Sequence, residues 1–178
     1  MSRIKEGTFA HLALLCQKRK SLVVLELLLR QRLTIMDIQI KYNDIINRCE
    51  QLSSFEADGK FDANGESRYL EIHINEVDKM LITDYIKQAQ AIIEERIARM
   101  ITNVEDVKEG FTWSIRTDSR WSGVKSFTKH VTEAIVAYAM ASWLKGRLDE
   151  RVAFYEELFN NTLAMAVKNI FTKQAPKK

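Results

Sequence analysis

AIVAYAMASWL, residues 134–144, holds ten apolar residues in eleven, interrupted only by Ser142. A surface helix carries one apolar stripe, whereas a helix that is apolar on nearly every side must be surrounded by other elements. The stretch therefore marks the centre of the fold. It falls far short of the roughly 20 residues a membrane span requires. The other long apolar run, Leu22–Leu29, is shorter still and is broken by Glu26.

Around this centre the chain is sparsely punctuated. It has one proline, Pro176, and six glycines, Gly7, Gly59, Gly65, Gly110, Gly123 and Gly146. Both residue types disfavour helix interiors, so long helices fit between them. Ile38, Tyr42, Ile45, Cys49 and Leu52 step by four and three, which predicts a helix from Ile38. Asp58-Gly59 and Asn64-Gly65 mark a polar loop over 53–67. Leu70, Ile72 and Ile74 alternate with polar neighbours, as in a short strand or extended arm. Asn75 with Asp78 three positions on forms a capping-box start. Ile82, Ile86, Ala89, Ile93, Ile97 and Met100 then make the stripe of a second helix.

Over 111–123, Phe111, Trp113 and Ile115 alternate with polar residues, which predicts an extended arm or small hairpin. From about Asp149 to Phe171, Leu148, Val152, Tyr155, Phe159, Leu163, Ala166 and Ile170 form the docking stripe of a last helix. Phe154, Leu158 and Met165 form a second stripe on an adjacent face, which suggests a second partner. The expected fold class is all-α (mainly α), a helical bundle with an extended arm or short hairpin.

Charge divides the chain. Residues 1–35 hold seven Lys/Arg against Glu6 and Glu26, while 36–178 hold 20 basic and 22 acidic groups. The break at Met36 sets three expected regions: a basic extension over 1–35, a helical domain over 36–173 and a basic tail over 174–178. The extension reads either as a basic amphipathic helix or as sequence upstream of a start at Met36. It is not a signal peptide, because its basic patch Lys18–Lys20 lies deep and Glu26 interrupts the apolar run. Cys16 and Cys49 have no metal-ligand spacing, and a reducing, cytoplasmic setting is expected.

No arrangement of residues points to catalysis, a metal or a cofactor. Lys60–Glu71 superficially matches a calcium loop, yet Lys60 puts a cation where the first carboxylate ligand belongs. His11, His73 and His130 are scattered, no glycine-rich phosphate loop is present, and Ser122-Gly123 is no nucleophile elbow. The pairs Glu94-Glu95 and Glu156-Glu157 diverge by about 100° on a helix and cannot share a substrate. The expectation is a protein that is not an enzyme. Trp113, Arg116, Arg120 and Trp121 have the composition of a stacking platform for single-stranded nucleic acid. Large aromatics and arginine on an arm are equally the composition of a protein interface, and the near-neutral body favours that use.

From Met36 onward the order of features resembles the head–tail connector (adaptor) proteins of tailed phages and prophages. The carrying stretches are YNDIINRCEQLSSFEA (42–57), EVDKMLITDYIKQAQAIIEERIARMI (76–101), FTWSIRTDSRW (111–121) and HVTEAIVAYAMASWLKGRLDERVAFYEELFNNTLAMAVKNIF (130–171). The resemblance implies a structural protein that forms a ring by self-association. Such a ring bridges portal and tail and leaves a channel through which DNA passes without sequence-specific binding. It implies assembly in the host cytoplasm and a final place in the virion neck, with no membrane. The subunit-contact candidates are then Trp113, Arg116, Arg120, Trp121, Phe154, Leu158 and Met165. The competing readings are a helical nucleic-acid-binding or regulatory protein, supported by the basic 1–35 segment and the Trp/Arg stretch, and an unrelated helical interaction module.

Overall fold

LTIMDIQIK, residues 33–41, alternates in burial: Ile38 and Ile40 are buried, while Asp37, Gln39 and Lys41 are exposed. That two-residue period belongs to a strand with one covered face. In the computed structural model, which describes residues 33–118, 121 and 123–171, this stretch is strand β1 (Leu33–Lys41). It leads directly into helix α1 (Tyr42–Ala57). A connection containing the short helix α2 (Tyr69–Ile72) and a 3-10 turn (Glu76–Asp78) follows. Then come α3 (Lys79–Ile97), β2 (Ile101–Val107), β3 (Gly110–Asp118), α4 (Val124–Leu144) and α5 (Asp149–Phe171).

The three strands form an antiparallel sheet in the order β1-β3-β2. The architecture is therefore mixed, a small sheet packed with four long helices, which corrects the all-α expectation. Two misreadings account for the difference. The segment 38–41 is strand rather than the start of a helix. The segment 111–118 is extended, as its alternation predicts, and pairs with β2 in a hairpin, but it is the middle strand, bonded on both sides, and not a free arm. The boundary at Met36 falls inside β1, since Leu33, Thr34 and Ile35 pair with Asp118, Thr117 and Arg116. The 70–74 alternation is also not a strand: Tyr69–Ile72 is one helical turn, with Leu70 exposed and Ile72 buried.

Gly110 governs how closely β1 and β3 approach. A Cβ built there would lie 2.1 Å from the Ile40 carbonyl oxygen, a backbone atom that cannot move aside. Beside it, the Tyr42 N–H donates to the Glu109 carbonyl at 2.9 Å, which joins the strand-to-helix corner to the β2–β3 turn.

The expected capping box is present: the Asn75 side chain accepts from the Val77 N–H, and Asp78 accepts from the Asn75 N–H at 3.0 Å. Ile82, Ile86, Ala89, Ile93 and Ile97 are the buried stripe of α3, as their spacing predicts, whereas Met100, expected on the same stripe, lies beyond the helix end and is half-buried. Helix α4 occupies the centre. Ala134–Ala137, Ala139–Ala141, Trp143 and Leu144 are buried, and α1, α3, α5 and β1 all pack on it. Helices α4 and α5 form an antiparallel hairpin. Gly146 (φ 77) permits the tight turn between them. At the far end Asn169 bonds Ser126 and His130.

Candidate interaction groove

Glu56 would be an odd residue on the apolar stripe of α1 without a partner. It is 6 % exposed, and its carboxylate accepts from Arg151 Nε and Nη2 at 2.8 and 2.7 Å and from the Tyr155 hydroxyl at 2.9 Å. Burial, reinforced by the bond to Glu56, raises the Tyr155 pKa above the usual phenol range. The same carboxylate holds the Arg151 pKa above its ordinary value. Because α5 begins where α4 ends, this pin fixes the relative directions: α1 and α4 run the same way, and α5 opposes both.

The Glu56 cluster ties α1 to α5. Beyond it the two helices part over α4 and leave a groove of about 920 Å³. Its floor is a stripe of α4 at four-residue steps, Val124, Thr128, Thr132 and Val136, with Leu52, Phe154, Tyr155 and Leu158 as walls. The Thr128 hydroxyl donates back to the Val124 carbonyl at 2.9 Å, so its hydrogen bond is satisfied within the helix. Asp44, Arg48, Lys125, Lys129 and Glu133 line the rim. Lys129 and Glu133 face each other at 3.8 Å, whereas Arg48 and Lys125 have no carboxylate partner among the described residues. The Arg151 guanidinium stands 4.6 Å from the centre of the Phe154 ring, so one arginine joins the buried pin to the groove wall.

The sequence candidates separate into three groups. Phe154, Leu158 and Met165 share an open face of α5, 48 %, 36 % and 52 % exposed, and the first two line the groove. Trp113 and Trp121 are core residues, a correction to their expected place on an exposed arm. Trp113 is fully buried against Phe111 and donates its indole N–H to Glu94 at 2.7 Å. Trp121 packs edge-on to Phe127 and donates to the Asn169 carbonyl at 3.0 Å. Arg116 is exposed on the outer face of β3, opposite the face that holds Trp113, because three residues along a strand reverse the side. Arg120 lies outside the described residues. Trp113, Arg116 and Trp121 therefore form no common stacking surface.

Sequence reasoning missed Arg48, Lys125, Lys129 and Glu56. The spacing of Lys125 and Lys129 on an otherwise apolar helix, and a carboxylate in step with Cys49 and Leu52, were the available signals. Ser126, His130 and Asn169 come together, but both neighbours reach the same His130 nitrogen, Nδ1, at 3.5 and 3.0 Å. No proton can be relayed across the ring between them; the cluster ties α5 to α4. Among the described residues no group of His, Cys, Asp and Glu is arranged to hold a metal ion, and no helix is long and apolar enough to cross a membrane. No family model, no curated protein and no solved structure matches the chain.

Proposed function

We propose that this chain is a structural assembly subunit, a ring-forming head–tail connector that bridges portal and tail around a channel for DNA. One observation carries the reading: an apolar groove whose wall residues Phe154 and Leu158 continue into the exposed Met165. Exposed apolar surface bordered by charge is the usual mark of a protein contact. A subunit of this kind works by self-association, and its groove is a contact surface rather than a place for chemistry. The near balance of charge over 36–178 suits a channel through which DNA moves without being held. On this reading the chain assembles in the host cytoplasm and ends in the virion neck.

The test is reconstitution on a phage portal ring, viewed by negative-stain electron microscopy. The parent chain should form rings on the portal, and the double variant F154Q/L158Q should not, with helix content unchanged by circular dichroism. Undiminished rings from that variant would remove the groove from the assembly. No rings from the parent would remove the connector reading.

A further inference from the structure

We infer that the groove receives the connection between α1 and α3 of a second copy of this chain; this rests on the self-association proposed above and names its two surfaces. That connection and the first turn of α3 carry the most exposed apolar side chains among the described residues: Leu70 at 86 %, Val77 at 88 % and Met80 at 80 %. It is also acidic. From Asp58 to Met80 there are six acids, Asp58, Asp62, Glu66, Glu71, Glu76 and Asp78, against Lys60, Arg68 and Lys79. Each of those three cations is already held by a carboxylate of its own molecule, at Glu150, Glu71, and Glu50 with Glu76. The groove is apolar within, and its rim carries Arg48, Lys125 and Lys129 against Asp44 and Glu133, one positive charge in excess, with Arg48 and Lys125 free of a carboxylate partner among the described residues. Apolar surface meeting apolar surface, with acid facing base around it, is the arrangement that selects a partner and its orientation.

The two surfaces of one molecule cannot meet each other. Lys60 bonds Glu150 at 3.1 Å, the Trp143 indole N–H donates to the Ile72 carbonyl at 2.6 Å, and Arg68 donates to the Arg147 carbonyl. These bonds fasten the connection over the α4–α5 turn, at the pinned end of the groove. The contact is therefore between copies and joins two different patches. Each copy keeps one free surface of each kind, which is the heterologous geometry that builds rings.

Sedimentation velocity on the full chain, up to about 1 mM, tests the pairing. The parent should self-associate, and added salt should weaken the association. The variants L70Q/M80Q and F154Q/L158Q, each folded by circular dichroism, should be monomeric alone. Their equimolar mixture should form dimers and nothing larger, since only one intact contact remains. Charge reversal K125E/K129E, on exposed side chains, is a second groove variant and should likewise abolish association.

A parent that stays monomeric overturns the pairing, as does L70Q/M80Q associating like the parent. If removal of residues 1–32 abolishes association while L70Q/M80Q does not, the leading segment is the occupant and the pairing is wrong. The connector reading fails separately. A chain that associates through these surfaces but forms no ring on the portal keeps the pairing and loses the connector. Rings of L70Q/M80Q on the portal do the reverse.

Discussion

Glu56 and Arg151, 95 residues apart in sequence, meet through two parallel hydrogen bonds of 2.8 and 2.7 Å. The pair is the hinge-pin of the groove, because α1 and α5 otherwise diverge over α4. Glu56→Ala leaves the Tyr155 hydroxyl buried without a partner and the arginine without its counter-charge. Arg151 keeps some solvent, its side chain being 34 % exposed, so the expected loss is about 2–3 kcal/mol, short of the largest buried-pair penalties. Urea denaturation measures it, and a loss below about 0.5 kcal/mol would show that α1 and α5 are held by something else.

Gly110→Ala should be among the most damaging single-methyl additions in the chain. The new carbon would collide with the Ile40 carbonyl, so β1 must separate from β3 at its paired end. The expected loss is about 3 kcal/mol or more, read by thermal melting. A melting temperature unchanged from the parent would mean that β1 does not pack against Gly110.

Trp113→Ala and Phe154→Gln should behave oppositely. The first empties a fully buried site beside Phe111 and removes one of the two donors to Glu94, at about 3–5 kcal/mol. The second gives up the stacking of Arg151 over the ring, at about 1 kcal/mol, and spares the core. Comparing their melts tests which tryptophan and phenylalanine belong to the interior. Equal losses would contradict the assignment.

Alkaline pH should destabilise the fold through Cys49. Burial, with Glu50 nearby, pushes its thiol up to about 12 from an ordinary 9.0. Between those values the unfolded chain has released the proton and the folded chain retains it. The contribution is complete below pH 9.0 and is lost as pH rises toward about 12, with a slope near 1.4 kcal/mol per pH unit. Tyr155, raised by its own burial, adds loss of the same sign above the usual phenol range. Urea midpoints at about pH 8 and about pH 10.5 check the sign, and Cys49→Ala should flatten the decline. A midpoint that does not fall, or a decline untouched by Cys49→Ala, would contradict it.

Where burial followed a single period over many residues, the sequence was readable. Helices α3 and α5 and the centre at α4 announced themselves that way, as did the Asn75–Asp78 cap. The error at 38–41 came from two periods that share residues. Ile38, Ile40 and Tyr42 are the inner face of a strand running into a helix, while Ile38, Tyr42 and Ile45 also happen to fit helical spacing. β2 left no signal, because every residue after Ile101 in ITNVEDV is exposed and no buried face shows a period. The α5 wall of the groove was legible in Phe154 and Leu158. Its other wall was not, since nothing local in α1 records that α4 and α5 lie across from it.

The pairing of β1 with β3 also sets an order of events at the ribosome. β1 is made before the helices, yet its partner begins at Gly110, so Ile38 and Ile40 leave the exit tunnel with nothing to pair with. At roughly 10 residues per second the wait is about seven seconds, while α1 and α3 can already coil locally. During that interval an apolar, β-branched segment is open to any other nascent strand. Synthesis of this protein therefore has a vulnerable window that closes only when Gly110–Asp118 arrives, and slowing translation between the two strands would widen it.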